Sequence, residues 1–201
     1  MVYDPKLHHR RSIHLKGYDY ALPGWYFITI CTHNRMCWFG EVVEGQMQPN
    51  QAGQMVQKWW AELRHKFPRA ETAIFVVMPN HFHGLITIVG ADLRVRPRPD
   101  GGAHAGAPLH KIVQWFKAMT TNKYLRGVKQ HGWPRYAGRL WQRGYYEHII
   151  RNEKSLNLIR EYIASNPLGW PSDPENPERQ EPADDELDNI LARDTTPPAN
   201  W

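Results

Sequence analysis

Short apolar and β-branched runs, punctuated by Gly, Pro and Asn, alternate along this chain with longer stretches of helical period. Gly24-Trp25-Tyr26-Phe27-Ile28-Thr29-Ile30-Cys31-Thr32 alternates so weakly that it predicts a strand buried on both faces. Asn34-Arg35 then marks a turn. Residues 41–43 and 46–48 flank Glu44-Gly45, a predicted small hairpin. Asn50 is a predicted N-cap, after which Met55, Val56, Trp59, Leu63 and Phe67 recur at helical spacing until Pro68. Residues 73–78 and 85–89 are β-type runs about a Pro79-Asn80 turn, a hairpin whose second strand begins at His81. Leu109, Ile112, Val113, Phe116, Met119 and Tyr124 predict a second amphipathic helix, opened by Pro108 and stopped near Gly127. Residues 145–150 read as a short strand or the first turn of a helix. Asn152 caps a last helix from Glu153, with Leu156, Ile159 and Ile163 on its buried stripe and Asn166-Pro167 at its end. Antiparallel strands with interspersed helices predict an α+β fold, a ferredoxin-like sheet with helices packed on one face. A single domain is expected over residues 17–170.

Charge changes this picture at the ends. Residues 171–201 hold nine acids and two bases, a net of −7, so the chain's total of +5 leaves +12 on residues 1–170. A body this basic, with nine Trp and nine Tyr available to stack on bases, points to a nucleic-acid partner. Arg10 and Arg11 lie in a basic arm, residues 1–16. Arg139 and Arg143 interleave with Trp133 and Trp141 in a loop-like stretch, residues 127–144. Residues 94–108 read as a flexible basic loop. From Pro171 the chain reads as an acidic, Pro-rich disordered tail, dispensable for activity and competing with DNA for the basic surface. No apolar run approaches the ~18 residues of a membrane span. Cys31 and Cys37 lack the further cysteines of a zinc knuckle and read as reduced thiols of a cytoplasmic protein; a nucleic-acid partner would make it nucleoid-associated.

The candidate chemistry lies in two stretches. On a strand His81 and His83 project to the same side while Phe82 points into the core. Two such imidazoles make half of a metal site, or simply two half-exposed strand histidines. On the last helix Tyr162 and Asn166 are one turn apart on one face, about 100° from the Ile163 stripe. Tyr162 is either a boundary tyrosine with its hydroxyl in water or a nucleophile, and a phenol of reference pKa ~10 needs a nearby cation or base to react.

Four stretches in this order resemble the single-tyrosine HUH transposases, particularly the REP-associated tyrosine transposases and their insertion-sequence relatives. They are Tyr26-Phe27-Ile28-Thr29-Ile30 with Arg35; Met78-Pro79-Asn80-His81-Phe82-His83-Gly84; residues 140–152, from Leu140-Trp141-Gln142-Arg143 to Ile150-Arg151-Asn152; and Tyr162-Ile163-Ala164-Ser165-Asn166-Pro167. The resemblance spans about residues 10–170. It implies that His81, His83 and Asn166 bind Mg²⁺ or Mn²⁺, and that Tyr162 attacks single-stranded DNA at hairpin or palindromic sites to give a 5′-phosphotyrosine. It also implies DNA contacts for Arg35 and Arg151, beside those read for Arg10, Arg11, Arg139 and Arg143, and a monomer or homodimer. Ligand type alone would have allowed zinc; phosphate chemistry with an amide ligand favours the harder ion. Tyr145 and Tyr146 are rival nucleophiles by residue type. A histidine-triad hydrolase would want a third His where Leu85 stands. A binding-only DNA regulator on the same scaffold would be expected to have lost a metal ligand or Tyr162, and the chain retains them all. A hydrolytic metal nuclease without a covalent intermediate would not need Tyr162.

Overall fold

The computed structural model describes residues 22–89 and 109–179. The basic arm with Arg10 and Arg11, the 94–108 loop with the cap at Pro108, and everything beyond residue 179 lie outside the described residues. In chain order the elements are β1 (Gly24–Cys31), β2 (Gly40–Val43), β3 (Gln46–Pro49), α1 (Gln51–Ala61), α2 (Leu63–Lys66), β4 (Ala70–Val77), β5 (His81–Ile88), α3 (Leu109–His131), β6 (Tyr146–Ile150) and α4 (Glu153–Ser165). β4, β5, β1 and β6 form one sheet in that order, antiparallel throughout, and β2 pairs with β3 in a separate hairpin. With the small hairpin set aside, the order is that of a ferredoxin-like α+β domain.

β1 and β5 are buried on both faces, as the weak alternation of β1 predicts, because helices cover both sides of the sheet. Tyr26, Ile28, Ile30, Phe82, Ile86 and Ile88 face a large core with α1 and α3. Phe27 and Leu85 face the other way, against Leu156, Ile159 and Ile163 of α4. The expectation of helices on one face is thereby corrected: α4 lies on the second face, the one the histidines share. Asn50 caps α1 as predicted, its Oδ1 accepting from the amides of Ala52 and Gly53 at 2.9 and 3.0 Å. Glu44 and Gly45 carry the positive φ values of a tight hairpin turn, 50° and 72°.

α3 overruns the expected stop at Gly127 and ends at His131. The glycine is there for packing: a Cβ on it would sit 2.3 Å from the Trp133 ring. Trp133 folds back onto the helix, and the expected loop correspondingly begins after residue 131.

Candidate active site

His81 and His83 open β5, and their register fixes their direction. His81 stands opposite Cys31 and His83 opposite Thr29 on β1, on the face covered by α4. Their ring centroids are 4.6 Å apart. Both are nearly inaccessible, 0% and 3% exposed, so the reading of half-exposed strand histidines does not hold. α4 starts at its Asn152 cap, beside the far end of the sheet where Ile150 pairs with Trp25. Its 13 residues, at ~1.5 Å each, carry the chain back ~20 Å to the histidine end. That return brings Tyr162 and Asn166 to the site. Tyr162 Oη lies 3.5 Å from His83 Nε2. Phe27 stacks on the His83 ring at 5.4 Å and meets the Tyr162 ring edge-on at 6.2 Å, so one buried phenyl backs both.

Each imidazole is held from behind. His83 Nδ1 meets Thr29 Oγ1 at 2.8 Å. His81 Nδ1 meets Asn80 Oδ1 at 2.9 Å. The Asn80 amide orientation follows from its other contacts: Nδ2 donates to the carbonyls of Arg35 (3.0 Å) and Glu175 (2.6 Å). Oδ1 is therefore the acceptor, Nδ1 of His81 carries the proton, and the Nε2 lone pair of His81 points forward. Forward of it lies Asn166, which is buried. Among the described residues neither His81 Nε2 nor Asn166 Oδ1 has a hydrogen-bond partner. As placed, no three His, Cys, Asp or Glu among the same residues stand close enough to hold an ion, so the amide of Asn166 counts among the candidate ligands. Two orphaned, buried acceptor atoms, His81 Nε2 and Asn166 Oδ1, beside the second imidazole, that of His83, fit a divalent cation.

Thr29 and Asn80 were missed in the sequence, and so was Asp173. Residues 171–179, expected as the start of a disordered tail, fold back onto the site. A short 3-10 turn over Trp170–Ser172 delivers Asp173, which is 7% exposed. Asp173 Oδ2 lies 3.4 Å from Asn166 Nδ2 and 3.9 Å from His81 Nε2. Glu175 pairs with Arg35 at 3.0 Å. The expectation of disorder from Pro171 is thereby corrected for residues 171–179, and truncation after Trp170 would remove both carboxylates.

Burial sets the protonation of the site. It lowers His81 to about 4, opposed by Glu175 and by the Asn166 side chain. It also holds His83 well below its usual value, with His81 adding to the effect. Burial pushes the Cys31 thiol up, reinforced by Glu175; Cys31, though opposite His81, stays a thiol and a poor ligand at neutral pH. The histidine shifts have a sign. Folded values lie below the unfolded ~6.5, so the unfolded chain binds protons more readily in that range. Stability is full above pH ~6.5 and declines as pH falls toward His81's folded value. In chelator, the melting temperature is expected to drop steadily from pH 7 to pH 5; a flat profile there would contradict the neutral, buried pair.

The arginines divide by position. Arg35 is half exposed beside the site and engaged by Glu175. Arg143 is exposed and Arg139 half-buried, both on the stretch entering β6, whose first residue Tyr146 pairs with Thr29 at the histidine end. That stretch is pinned by Lys117 of α3, whose Nζ donates to the carbonyls of Gln142, Arg143 and Gly144. Burial lowers Lys117 to about 8, so it remains an ammonium at neutral pH, with three donors for three carbonyls. Arg151 is exposed but follows Ile150 at the opposite end of the sheet. A further basic groove of about 530 Å³ runs between α1 and α3, lined by Lys58, Lys123, Arg126 and Trp133.

The family described as "Transposase IS200 like" matches residues 102–166. That span contains Tyr162 and Asn166, and His81 and His83 precede it. An uncharacterised protein of Haemophilus influenzae is 40% identical over 183 residues, covering 85% of this chain and 95% of that protein. Among solved structures, a REP-associated tyrosine transposase bound to a REP hairpin is similar with a TM-score of 0.47 and 21% identity, over 77% of this chain and 72% of that one. A protein of Deinococcus radiodurans described as a candidate transposase is similar with a TM-score of 0.42 and 17% identity, over 75% of this chain and 95% of that one.

Proposed function

The chain belongs to the IS200-like transposase family, and from that premise we propose that it nicks and rejoins single-stranded DNA through a covalent 5′-phosphotyrosine on Tyr162. The observation that carries the reading is the set of buried acceptors without a donor, His81 Nε2 and Asn166 Oδ1, next to the contact between Tyr162 Oη and His83 Nε2. His81, His83 and Asn166 would hold Mg²⁺ or Mn²⁺ there. When bound, such a cation supplies positive charge that polarises the scissile phosphate and favours the phenolate.

The chain's own residues do the rest. Thr29 and Asn80 fix the two imidazoles, and Phe27 orients the Tyr162 ring. The phenolic oxygen forms a bond to phosphorus as the bond from phosphorus to the 3′-oxygen breaks. The Tyr162 proton leaves, the 3′-oxygen departs as a hydroxyl, and the phosphodiester is conserved as a phosphotyrosine ester. Attack by a 3′-hydroxyl on that ester reverses the step and reseals a strand without a nucleotide cofactor. Hairpin-bearing or palindromic single strands are the proposed substrates, with the exposed Arg143 at the histidine end of the sheet placed toward phosphates and Arg35 beside it, paired with Glu175.

Calorimetric titration of Mn²⁺ into the full chain tests the cation site. The His81→Ala, His83→Ala double variant is expected to lose binding altogether, together with cleavage of a hairpin oligonucleotide. Unchanged Mn²⁺ affinity in that variant would remove the site.

A further inference from the structure

Two imidazoles and one amide form an uncharged ligand set, a weak one for hard cations such as Mg²⁺ and Mn²⁺, which take oxygen ligands and favour carboxylates. We propose that Asp173 completes the site as its anionic oxygen ligand, an inference that rests on the metal-dependent reading above. Asp173 reaches the site from the segment after α4, a part of the chain whose composition gave no hint of a role.

Three observations converge on it. Asp173 is 7% exposed, so its carboxylate is held inside the protein beside the histidines and not in solvent. Its Oδ1 accepts from the Glu175 amide at 2.7 Å, which turns Oδ2 toward His81 Nε2 (3.9 Å) and Asn166 Nδ2 (3.4 Å). The atoms it approaches belong to the two residues with orphaned acceptors, His81 Nε2 and Asn166 Oδ1. A lone pair, an amide oxygen and a carboxylate gathered in one buried place call for a cation between them. Neighbouring ligands of an octahedral ion at ~2.1 Å stand ~3.0 Å apart. The 3.9 Å between His81 Nε2 and Asp173 Oδ2 needs to close by roughly an ångström, within reach of side-chain adjustment around an ion of that size.

The neighbouring carboxylate is the weaker candidate. Glu175 is engaged by Arg35 at 3.0 Å, and its backbone carbonyl is held by Asn80. Its geometry serves to anchor the segment so that Asp173 faces the histidines.

The test uses the full chain and Mn²⁺ alone, with binding followed by calorimetry and by the electron paramagnetic resonance of the bound ion. Asp173→Asn keeps the side chain's size and its Oδ1 acceptor but removes the charge. It is expected to weaken Mn²⁺ binding at least about tenfold and to alter the spectrum of the bound ion, with an unchanged melting temperature in chelator. Asp173→Glu, which restores the charge, is expected to recover part of the affinity. If Asp173→Asn binds as the parent does while His81→Ala does not bind, Asp173 is no ligand and the cation site itself stands. If His81→Ala also binds as the parent does, the metal-dependent reading fails and this inference with it. If Asp173→Asn lowers the melting temperature in chelator and Asp173→Glu recovers no affinity, the residue's role is structural and the proposal is overturned.

Discussion

Tyr162→Phe is expected to abolish the covalent adduct with a hairpin-bearing single strand while leaving binding of that strand nearly intact. The substitution removes one oxygen from a ring whose packing is set elsewhere, by the edge-on contact with Phe27, so the helix has little to lose. What it removes is the hydroxyl 3.5 Å from His83 Nε2. At neutral pH only about one in a thousand unperturbed phenols is ionised, which is why the position of that oxygen beside a candidate cation site matters. The rival tyrosines are placed differently. Tyr145 packs against the core between the sheet and α1 and α3, on the face away from the histidines. Tyr146 shares the histidine face, but Thr29 of β1 stands between it and His83 in the register. Tyr145→Phe and Tyr146→Phe are therefore expected to retain the adduct. Denaturing gel electrophoresis with Mg²⁺ or Mn²⁺ reads the result. An adduct that survives in Tyr162→Phe and disappears in Tyr146→Phe would move the nucleophile to β6, and no adduct with any form would favour a binding-only protein.

The residues legible in the sequence are those whose relation is local. His81 and His83 share a face because strand side chains alternate, and Tyr162 and Asn166 because a helix repeats near every fourth residue. Periodicity also placed Leu156, Ile159 and Ile163 together, and all three are buried under the site's face of the sheet. It did not say which face, because a helix stripe fits either side of a sheet buried on both. The parts that stayed hidden depend on long-range contacts. Thr29 reaches His83 across 54 residues. Asn80 reaches Glu175 across 95. Asp173 lies in residues 171–179, which are themselves acidic and Pro-rich, and a composition that reads as a tail carries no trace of the long-range contacts that pack it. Gly127 misled for a related reason: a glycine that ends a helix and one that admits a tryptophan ring look alike in a single sequence.

Asn80→Ala is expected to cost more stability than a surface turn substitution, because this turn is not on the surface. Asn80 is 0% exposed, as is Met78 two residues before it. The turn's backbone is held by residues 32–39: Thr32 N–H donates to the Asn80 carbonyl at 2.8 Å and Phe39 N–H to that of Pro79 at 3.0 Å. The side chain then joins three separate segments, with its Nδ2 on the carbonyls of Arg35 and Glu175 and its Oδ1 on His81. Truncation leaves two carbonyls and one imidazole N–H without these partners. A buried group left unsatisfied costs ~1–3 kcal/mol, and neighbours in one network do not add fully, so a total loss of ~3–5 kcal/mol is expected. The loss is expected to reach the site as well. Without Oδ1 the proton of His81 is no longer held on Nδ1, the forward lone pair is no longer assured, and the 171–179 segment loses an anchor beside Asp173. Asn80→Asp gives no relief, since a carboxylate cannot donate to the two carbonyls and brings a charge into a buried place. Urea unfolding and Mn²⁺ titration of the same preparations separate the two effects. A stability change within about 0.5 kcal/mol for Asn80→Ala, with Mn²⁺ binding intact, would mean that the turn holds its shape through the backbone bonds alone and that His81 needs no partner behind it.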